Sequence, residues 1–411
     1  MQTPYFIFKP EVLEKNFNEL KSLCDKYLNN YVVAYSLKTN SYHELIKTLN
    51  SLGSHFEAAS LDEINLVKNI KRLNILNGPA KTEEELKVAL NNKSLINADS
   101  FSELDKIIKI IEGKKLEIGI RISLKESKFG FDETQLKEVF EKCNKNNLKI
   151  ISLHFHCGTQ LSLKEYENNL IKISKFFEKQ DKILLQNIES FDKPQNSKLS
   201  KKDFDAISFG NEVKSKSSID IKYINLGGGF PEKLKLKNLG CNLEDYFKLL
   251  TEYLDKIKKK YNVSIILEPG RVLVADAFDL ITKVITIKNN FDETYAILDA
   301  GINVLPKVTL SNYKFSKLNQ FKEFKTNPDR LDGKEKLLVN DNSKFNKKKQ
   351  EYILAGPLLF NNDILGRFHG NLKENDLIKV ENVGAYCYNL AWEISYKKPR
   401  IDKKDKNIFK G

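Results

Sequence analysis

Residues 32–40 read Val32-Val33-Ala34-Tyr35-Ser36-Leu37-Lys38-Thr39-Asn40, an apolar, β-branched run that ends on a lysine. A short run of this kind followed by turn chemistry reads as a buried strand. The same reading recurs downstream at His55–Ser60, Leu73–Leu76, Leu95–Ala98, Leu116–Ile122, Ile150–His156, Ile221–Leu226 and Val263–Leu267. Amphipathic stretches such as Leu61–Ile70 and Glu83–Leu90 lie between them. Eight strands alternating with helices predict a parallel sheet, and eight is the number that closes a (β/α)8 TIM-like barrel. A barrel carries its chemistry at the C-terminal ends of its strands, so the residues that end these runs are the candidates.

Outside this stretch the pattern changes. Upstream, Pro10 opens a helix whose apolar residues Leu13, Phe17, Leu20, Cys24 and Leu28 recur at helical spacing. After about residue 275 the helical alternation stops, and Ile281–Lys288, Thr294–Leu298, Glu351–Leu354 and Asp376–Val380 read as strands. The expectation is an α/β barrel over residues 30–275 and a predominantly β domain made of residues 276–411 together with 1–29. Gln186–Ser218 and Phe315–Lys349 are rich in Lys, Asn, Ser and Asp and read as surface insertions.

Bulk composition narrows the function classes. With 411 residues, 41% hydrophobic and 30% charged, the chain reads as soluble, globular and long enough for two domains. The net charge of +13 comes mostly from lysines with no basic block interleaved with aromatics, so solvated faces are favoured over nucleic-acid binding. The apolar run Tyr5–Phe8 is cut by Lys9 and Pro10, too early for a signal-peptide core. No stretch approaches the roughly 20 apolar residues that span a bilayer, so a cytoplasmic protein is expected. Cys24, Cys143, Cys157, Cys241 and Cys387 are odd in number, scattered and without C-x-x-C spacing, which argues against a disulfide framework or a zinc knuckle.

Four strand ends carry chemistry. Lys38 follows the first strand, where desolvation would free its amine to attack an aldehyde; alone, such a lysine equally begins a loop and points to water. The sixth strand ends His154-Phe155-His156-Cys157-Gly158-Thr159, and alternation puts both histidines on one face. No carboxylate or third histidine stands nearby to complete a metal site; an imidazole lying on a cofactor ring, or one buried and one functional histidine, remain open. The seventh ends in Gly227-Gly228-Gly229, which lets backbone N–H groups approach an anion, or makes a flexible turn. The eighth ends Glu268-Pro269-Gly270-Arg271, a carboxylate and a guanidinium framing a rigid turn, suited to a ring nitrogen and a phosphate or simply to a surface ion pair.

Taken together, these segments resemble the fold-type III pyridoxal-phosphate (PLP) enzymes, in the group of diaminopimelate, ornithine and biosynthetic arginine decarboxylases. The resemblance runs from about Tyr5 to Trp392. It implies an alanine-racemase-like barrel with a C-terminal β-domain, and PLP held as a Schiff base on Lys38, since Tyr35-Ser36-Leu37-Lys38-Thr39-Asn40 matches the family's Y-A-x-K-A-N. Glu57 in Phe56-Glu57-Ala58-Ala59-Ser60 takes the acidic position of the second strand. Arg121 and the turn Lys128-Phe129-Gly130 also match. His156 would stack on the pyridine ring, Thr159 and Gly227, Gly228 and Gly229 would bind phosphate, and Glu268 would face the pyridine nitrogen. Gly270 and Arg271 complete the E-P-G-R motif, and Tyr386 in Gly384-Ala385-Tyr386 would reach the phosphate.

The resemblance also implies a homodimer, with the Asp363 and Tyr386 segments reaching across to the partner's site. Two departures bear on substrate. The family's G-P-x-C segment is Gly356-Pro357-Leu358-Leu359 here, so Leu359 stands at the position of a partner-supplied cysteine that protonates the product carbon, and Phe360 stands where diaminopimelate decarboxylases carry a glutamate. After Asp299-Ala300-Gly301-Ile302-Asn303 the family's arginine is not evident, which argues against diaminopimelate as substrate. Asp363, Phe360 and Leu359 are expected to meet the substrate, and Lys38, water or Cys387 to supply the proton. The expected activity is decarboxylation of an amino acid or derivative. A PLP racemase of similar fold, which places an arginine by the ring nitrogen, and a non-catalytic regulator are the competing readings.

Overall fold

The computed structural model describes residues 2–189, 219–306, 313–318 and 350–403. It divides the chain into two compact units, Phe17–Val272 and Met1–Asn16 with Leu273–Gly411, so the division falls inside the first helix, α1 (Pro10–Tyr27), rather than after it.

The larger unit is a closed barrel of eight strands: β2 (Tyr31–Ser36), β3 (His55–Ala58), β4 (Asn74–Leu76), β5 (Leu95–Ala98), β6 (Leu116–Arg121), β7 (Leu148–His154), β8 (Ile219–Asn225) and β9 (Ser264–Leu267). Every neighbouring pair is parallel, and β9 closes the ring by pairing with β2. Helices α2 (His43–Ser51), α3 (Leu61–Val67), α4 (Glu83–Asn91), α5 (Phe101–Ile111), α6 (Leu136–Lys145), α7 (Leu163–Glu189), α8 (Lys233–Leu239) and α9 (Leu243–Tyr261) make the crossovers.

Local chemistry sets where several crossovers begin. Ser60, Thr82, Ser100 and Asn242 each sit before a helix and accept a hydrogen bond from the third backbone N–H beyond, and Glu85 and Asp245 return the bond to complete capping boxes. These caps end the loops that leave β3, β4 and β5, and so fix how far those loops extend over the barrel mouth. The strands bury apolar side chains such as Ala34, Ile75, Leu95 and Ile266 in one cluster. A Leu or Ile lost to Ala in such packing costs about 2–5 kcal/mol.

Among the described residues the smaller unit is an eight-stranded sheet. Its main path runs β12 (Lys314–Leu318), β15 (Leu377–Glu381), β10 (Phe278–Asn290), β11 (Glu293–Leu298), β13 (Gln350–Ala355) and β14 (Ile364–Gly370). The remaining two strands are β1 (Tyr5–Phe8), antiparallel to β10, and β16 (Arg400–Lys403), parallel to β1. Thus Tyr5–Phe8 is a fully buried strand, with Phe8 stacked on Phe278 at 4.9 Å. The segment expected as an insertion from Phe315 begins instead as strand, because Lys314–Leu318 pairs with β15. Likewise Gln186–Glu189 belongs to α7; residues 190–218 and 319–349 of the two expected insertions lie outside the described residues. Among the described residues no helix is long and apolar enough to cross a membrane.

Candidate active site

The strand ends of the barrel converge. Lys38 lies not in β2 but in a single 3-10 turn, Leu37–Thr39, directly after it. Its Nζ is 3.0 and 3.3 Å from the two oxygens of Glu57 on β3. The lysine side chain is 43% exposed while Glu57 is wholly buried. The expectation of a desolvated amine is therefore corrected: Lys38 reaches open space and is ion-paired.

Ser36 Oγ also donates to Glu57. Burial by itself would raise the Glu57 carboxyl, but the Lys38 charge and the bonds from Ser36, Lys38 and Asn77 outweigh it and hold the group below its ordinary range.

Glu268, after β9, is the second buried carboxylate. Its Oε1 accepts from Asn225 Nδ2 at 2.7 Å and from Asn77 Nδ2 at 2.9 Å. Asn77 Nδ2 also donates to Glu57 Oε1 at 3.1 Å, and its own Oδ1 accepts from Asn97 Nδ2 at 2.8 Å. Strands β4 and β9 are not neighbours, so the Asn77–Glu268 bond crosses the barrel interior. Burial and then the nearby Glu57 charge push the Glu268 carboxyl up to about 7, against the opposing pull of Lys38, Asn225 and Asn77. A carboxyl so placed holds or yields a proton near neutral pH.

The two histidines differ. His154 ends β7, buried, with neither ring nitrogen hydrogen-bonded, and burial drives its proton affinity well below the usual range. It is thus a neutral ring, and its 3.7 Å approach to Glu268 is not an ion pair. His156 lies beyond the strand, half-buried, and its Nδ1 accepts from Gly158 N at 3.0 Å, which leaves the ring proton on Nε2. Burial first, then the positive Lys38 and Arg121, lower His156 to about 4.

Glycines bring the loops together. A Cβ on Gly228 would lie 2.3 Å from Glu268 O, and one on Gly229 would lie 1.9 Å from Gly158 O. Gly229 also has φ +100°, which side chains disfavour. Gly227 lies against the His156 ring, Gly270 against Thr39, and Gln160 N bonds Gly229 O at 2.8 Å. Thr159 sits exposed on the same loop, its backbone N next to Gly229. Ser36 N bonds Pro269 O at 3.1 Å, and Arg271 follows Gly270, buried. Lys38, Glu57, His156, Thr159, Gly227, Gly228, Gly229, Glu268, Gly270 and Arg271 therefore share one rim. Arg121 ends β6, its guanidinium 4.3 Å over the Phe129 ring and 3.4 Å from Asp99, which also holds Gly130 N at 2.8 Å.

The remaining candidates lie in the β unit. Asp363 is buried, and its carboxylate accepts from Ile302 N at 2.7 Å and Leu358 N at 2.8 Å. It shapes the loop, and it lines a cavity of about 490 Å³ together with Leu358 and Phe360. That loop presents Leu359 fully exposed and Phe360 partly so, 6.2 Å from the Trp392 ring. Cys387 is fully buried with its Sγ 3.3 Å from Tyr313 Oη, so it has no surface from which to protonate a substrate, and that expectation is also corrected. Tyr386, immediately before it, is half-buried.

Sequence reading passed over Asn77, Asn97 and Asn225. Their only signal is an amide ending or interrupting an apolar strand, as in Asn74-Ile75-Leu76-Asn77.

The pyridoxal-binding domain of the pyridoxal-dependent decarboxylases matches residues 14–192 and 199–275. The diaminopimelate decarboxylase of Aquifex aeolicus is 28% identical over 333 residues, covering 75% of this chain and 69% of that protein. Among solved structures, diaminopimelate decarboxylase from M. jannaschii superposes with a TM-score of 0.78 at 22% identity, covering 99% of this chain and 88% of that one. The Helicobacter pylori enzyme complexed with L-lysine gives 0.75 at 22%, covering 98% and 91%.

Proposed function

This chain belongs to the pyridoxal-dependent decarboxylase family, and from that premise we propose that it removes the α-carboxylate of an amino acid or amino-acid derivative with PLP bound covalently, as a Schiff base, through Lys38. The residues present fit the group. A triple glycine at a strand end, on the same rim as Arg271, suits a phosphate, and a buried carboxyl poised near 7 suits a pyridine nitrogen. Thr159, Gly227, Gly228, Gly229, Gly270 and Arg271 would hold the phosphate, with Tyr386 of a second copy, while Arg121 and Glu57 flank the site. When bound, PLP supplies an electron sink for the pair left on the α-carbon as CO₂ departs.

The chain's own residues do the rest. Lys38 Nζ would hold the aldehyde carbon of PLP, and when free of it is an amine able to carry a proton. Glu57 keeps that amine turned toward the rim. Glu268 would keep the pyridine nitrogen protonated, and Asn225 and Asn77 keep its carboxyl aimed. His156 offers a flat, neutral ring, since its charged form is suppressed above about pH 4.

The observation that carries this reading is the placement of Lys38 and Glu268 at one barrel mouth, tied through Glu57 and Asn77. A homodimer accords with the exposed apolar side chains Leu359, Phe360, Leu390, Trp392 and Ile394, which a partner would cover. Leu359 and Phe360 offer a distal carboxylate no partner, which supports a substrate other than diaminopimelate. The test is direct. A visible absorbance band abolished by borohydride, absent in Lys38→Ala, together with CO₂ release from at least one member of an amino-acid panel, is expected. A colourless wild-type protein incubated with PLP, or normal turnover in Lys38→Ala, refutes the reading.

A further inference from the structure

We propose that Asn77 is a positioning residue that fixes the spacing of the two site carboxylates and couples Glu268 to the Lys38–Glu57 ion pair; the inference rests on the functional reading above. A primary amide has two N–H donors and one acceptor oxygen. All three are used here: Nδ2 serves Glu57 Oε1 at 3.1 Å and Glu268 Oε1 at 2.9 Å, and Oδ1 takes the bond from Asn97 Nδ2 at 2.8 Å. Rotating the amide by half a turn would aim its oxygen at two carboxylates and its NH₂ at another NH₂, losing every bond. The two carboxylates and Asn97 together set the direction in which Asn77 donates. Asn97 itself is seated where Gly119 has no side chain, since a Cβ there would lie 1.9 Å from Asn97 Oδ1.

The two carboxylates depend on Asn77 unequally. Glu57 has Ser36 and Lys38 besides. Glu268 has Asn225 besides, while neutral His154 stands at 3.7 Å and contributes no bond. The charged or titratable groups facing Glu268 are Glu57 from β3, Lys38 from the turn after β2 and His154 from β7. Of these, Glu57 shares a donor nitrogen with Glu268. Neutralising Lys38 removes the cation that favours both ionised carboxylates, and the shared amide keeps them close enough for Glu57 to bear on Glu268. Asn77 is thus the physical link between the amine end and the acid end of the site.

The experiment uses the full-length protein with Asn77→Leu, which keeps the volume and removes the donors, and Asn77→Asp, which keeps the shape and replaces donors by oxygen. Two readouts are taken: the pH midpoint of the bound cofactor's absorbance, and the titration of ¹³C-labelled Glu carboxyls by NMR in the cofactor-free protein. Both variants are expected to raise the Glu268 midpoint by about one unit, with Asp at least as large as Leu, and to carry the alkaline limb of the kcat profile with it. Midpoints unmoved in folded variants overturn the proposal. Should the Asn77 variants fail to fold, Asn97→Ala, which frees the amide to turn, is expected to give a smaller shift of the same sign, and no shift there is equally fatal. Absence of any cofactor band in the wild type sinks the functional reading alone, because the carboxyl titration still decides the coupling.

Discussion

Glu268 in the barrel and Asp363 in the β unit are both buried carboxylates held by two N–H donors, yet they serve opposite ends. The donors to Asp363 are the backbone amides of Ile302 and Leu358, and the side chain fills space that Gly301 and Gly356 leave open. Backbone donors cannot rotate away, so the group fixes a loop. The donors to Glu268 are the side chains of Asn77 and Asn225, and a second carboxylate stands on the other side of the same amide. Side-chain donors and a charged neighbour leave the proton on Glu268 adjustable. Equal burial thus yields a rivet in one unit and a titrating group in the other, and the difference lies in what donates the hydrogen bonds.

The largest effect should come from the adjustable group. Glu268→Gln is expected to lower kcat by roughly two orders of magnitude or more and to abolish the cofactor titration near neutral pH, with thermal stability near wild type. A titration that persists in this variant would assign it to another group and break the contrast. Asp363→Ala leaves two backbone N–H groups buried without partners and is expected to cost about 2–4 kcal/mol in denaturant unfolding. The cofactor's pH midpoint should stay put; if it moves with Asp363, the two carboxylates are not of different kinds.

The contrast also has a pH signature in the cofactor-free protein. Glu268 is raised in the folded state to about 7, so its contribution is fully present below the ordinary carboxyl range and is lost as pH climbs through about 7. His156 is lowered to about 4, so its contribution is present above the ordinary imidazole range and is lost as pH falls through about 4. Urea midpoints should fall on both flanks, and Glu268→Gln should flatten only the alkaline one. The smallest effect belongs to the tip of the Asp363 loop. Leu359→Ser is expected to change the stability of the isolated subunit by less than about 0.5 kcal/mol, because the side chain is fully exposed there. A larger loss would show that the loop is held by its tip as well as by its buried aspartate.

The barrel was legible because strand-like runs recur eight times between helical stretches and each ends in turn chemistry. The strand Leu95–Ala98 agrees at both ends, and α1 begins at Pro10 as its periodicity requires. Rim residues were legible because a lysine, a triple glycine and Glu268-Pro269-Gly270-Arg271 are unusual at strand ends. What escaped is what depends on contact between distant segments. Lys314–Leu318 alternates weakly and carries two lysines, so only its pairing with β15 makes it a strand. Asp363 and Cys387 were assigned roles from motif position, whereas burial decides what each can touch. Asn77 is one amide in a chain rich in asparagine, and nothing local marks it as the residue that spans the barrel.

The empty volume at Gly119 has an evolutionary corollary. Its missing side chain is occupied by the amide of Asn97 on the adjacent strand, so the two positions are tied: an alanine at 119 forces the Asn97 amide to move, and a smaller residue at 97 leaves a hole and lets the Asn77 amide swing. A joint exchange, bulk gained at 119 as it is surrendered at 97, avoids both. Lineages descended from this chain should therefore tend to change these two sites together.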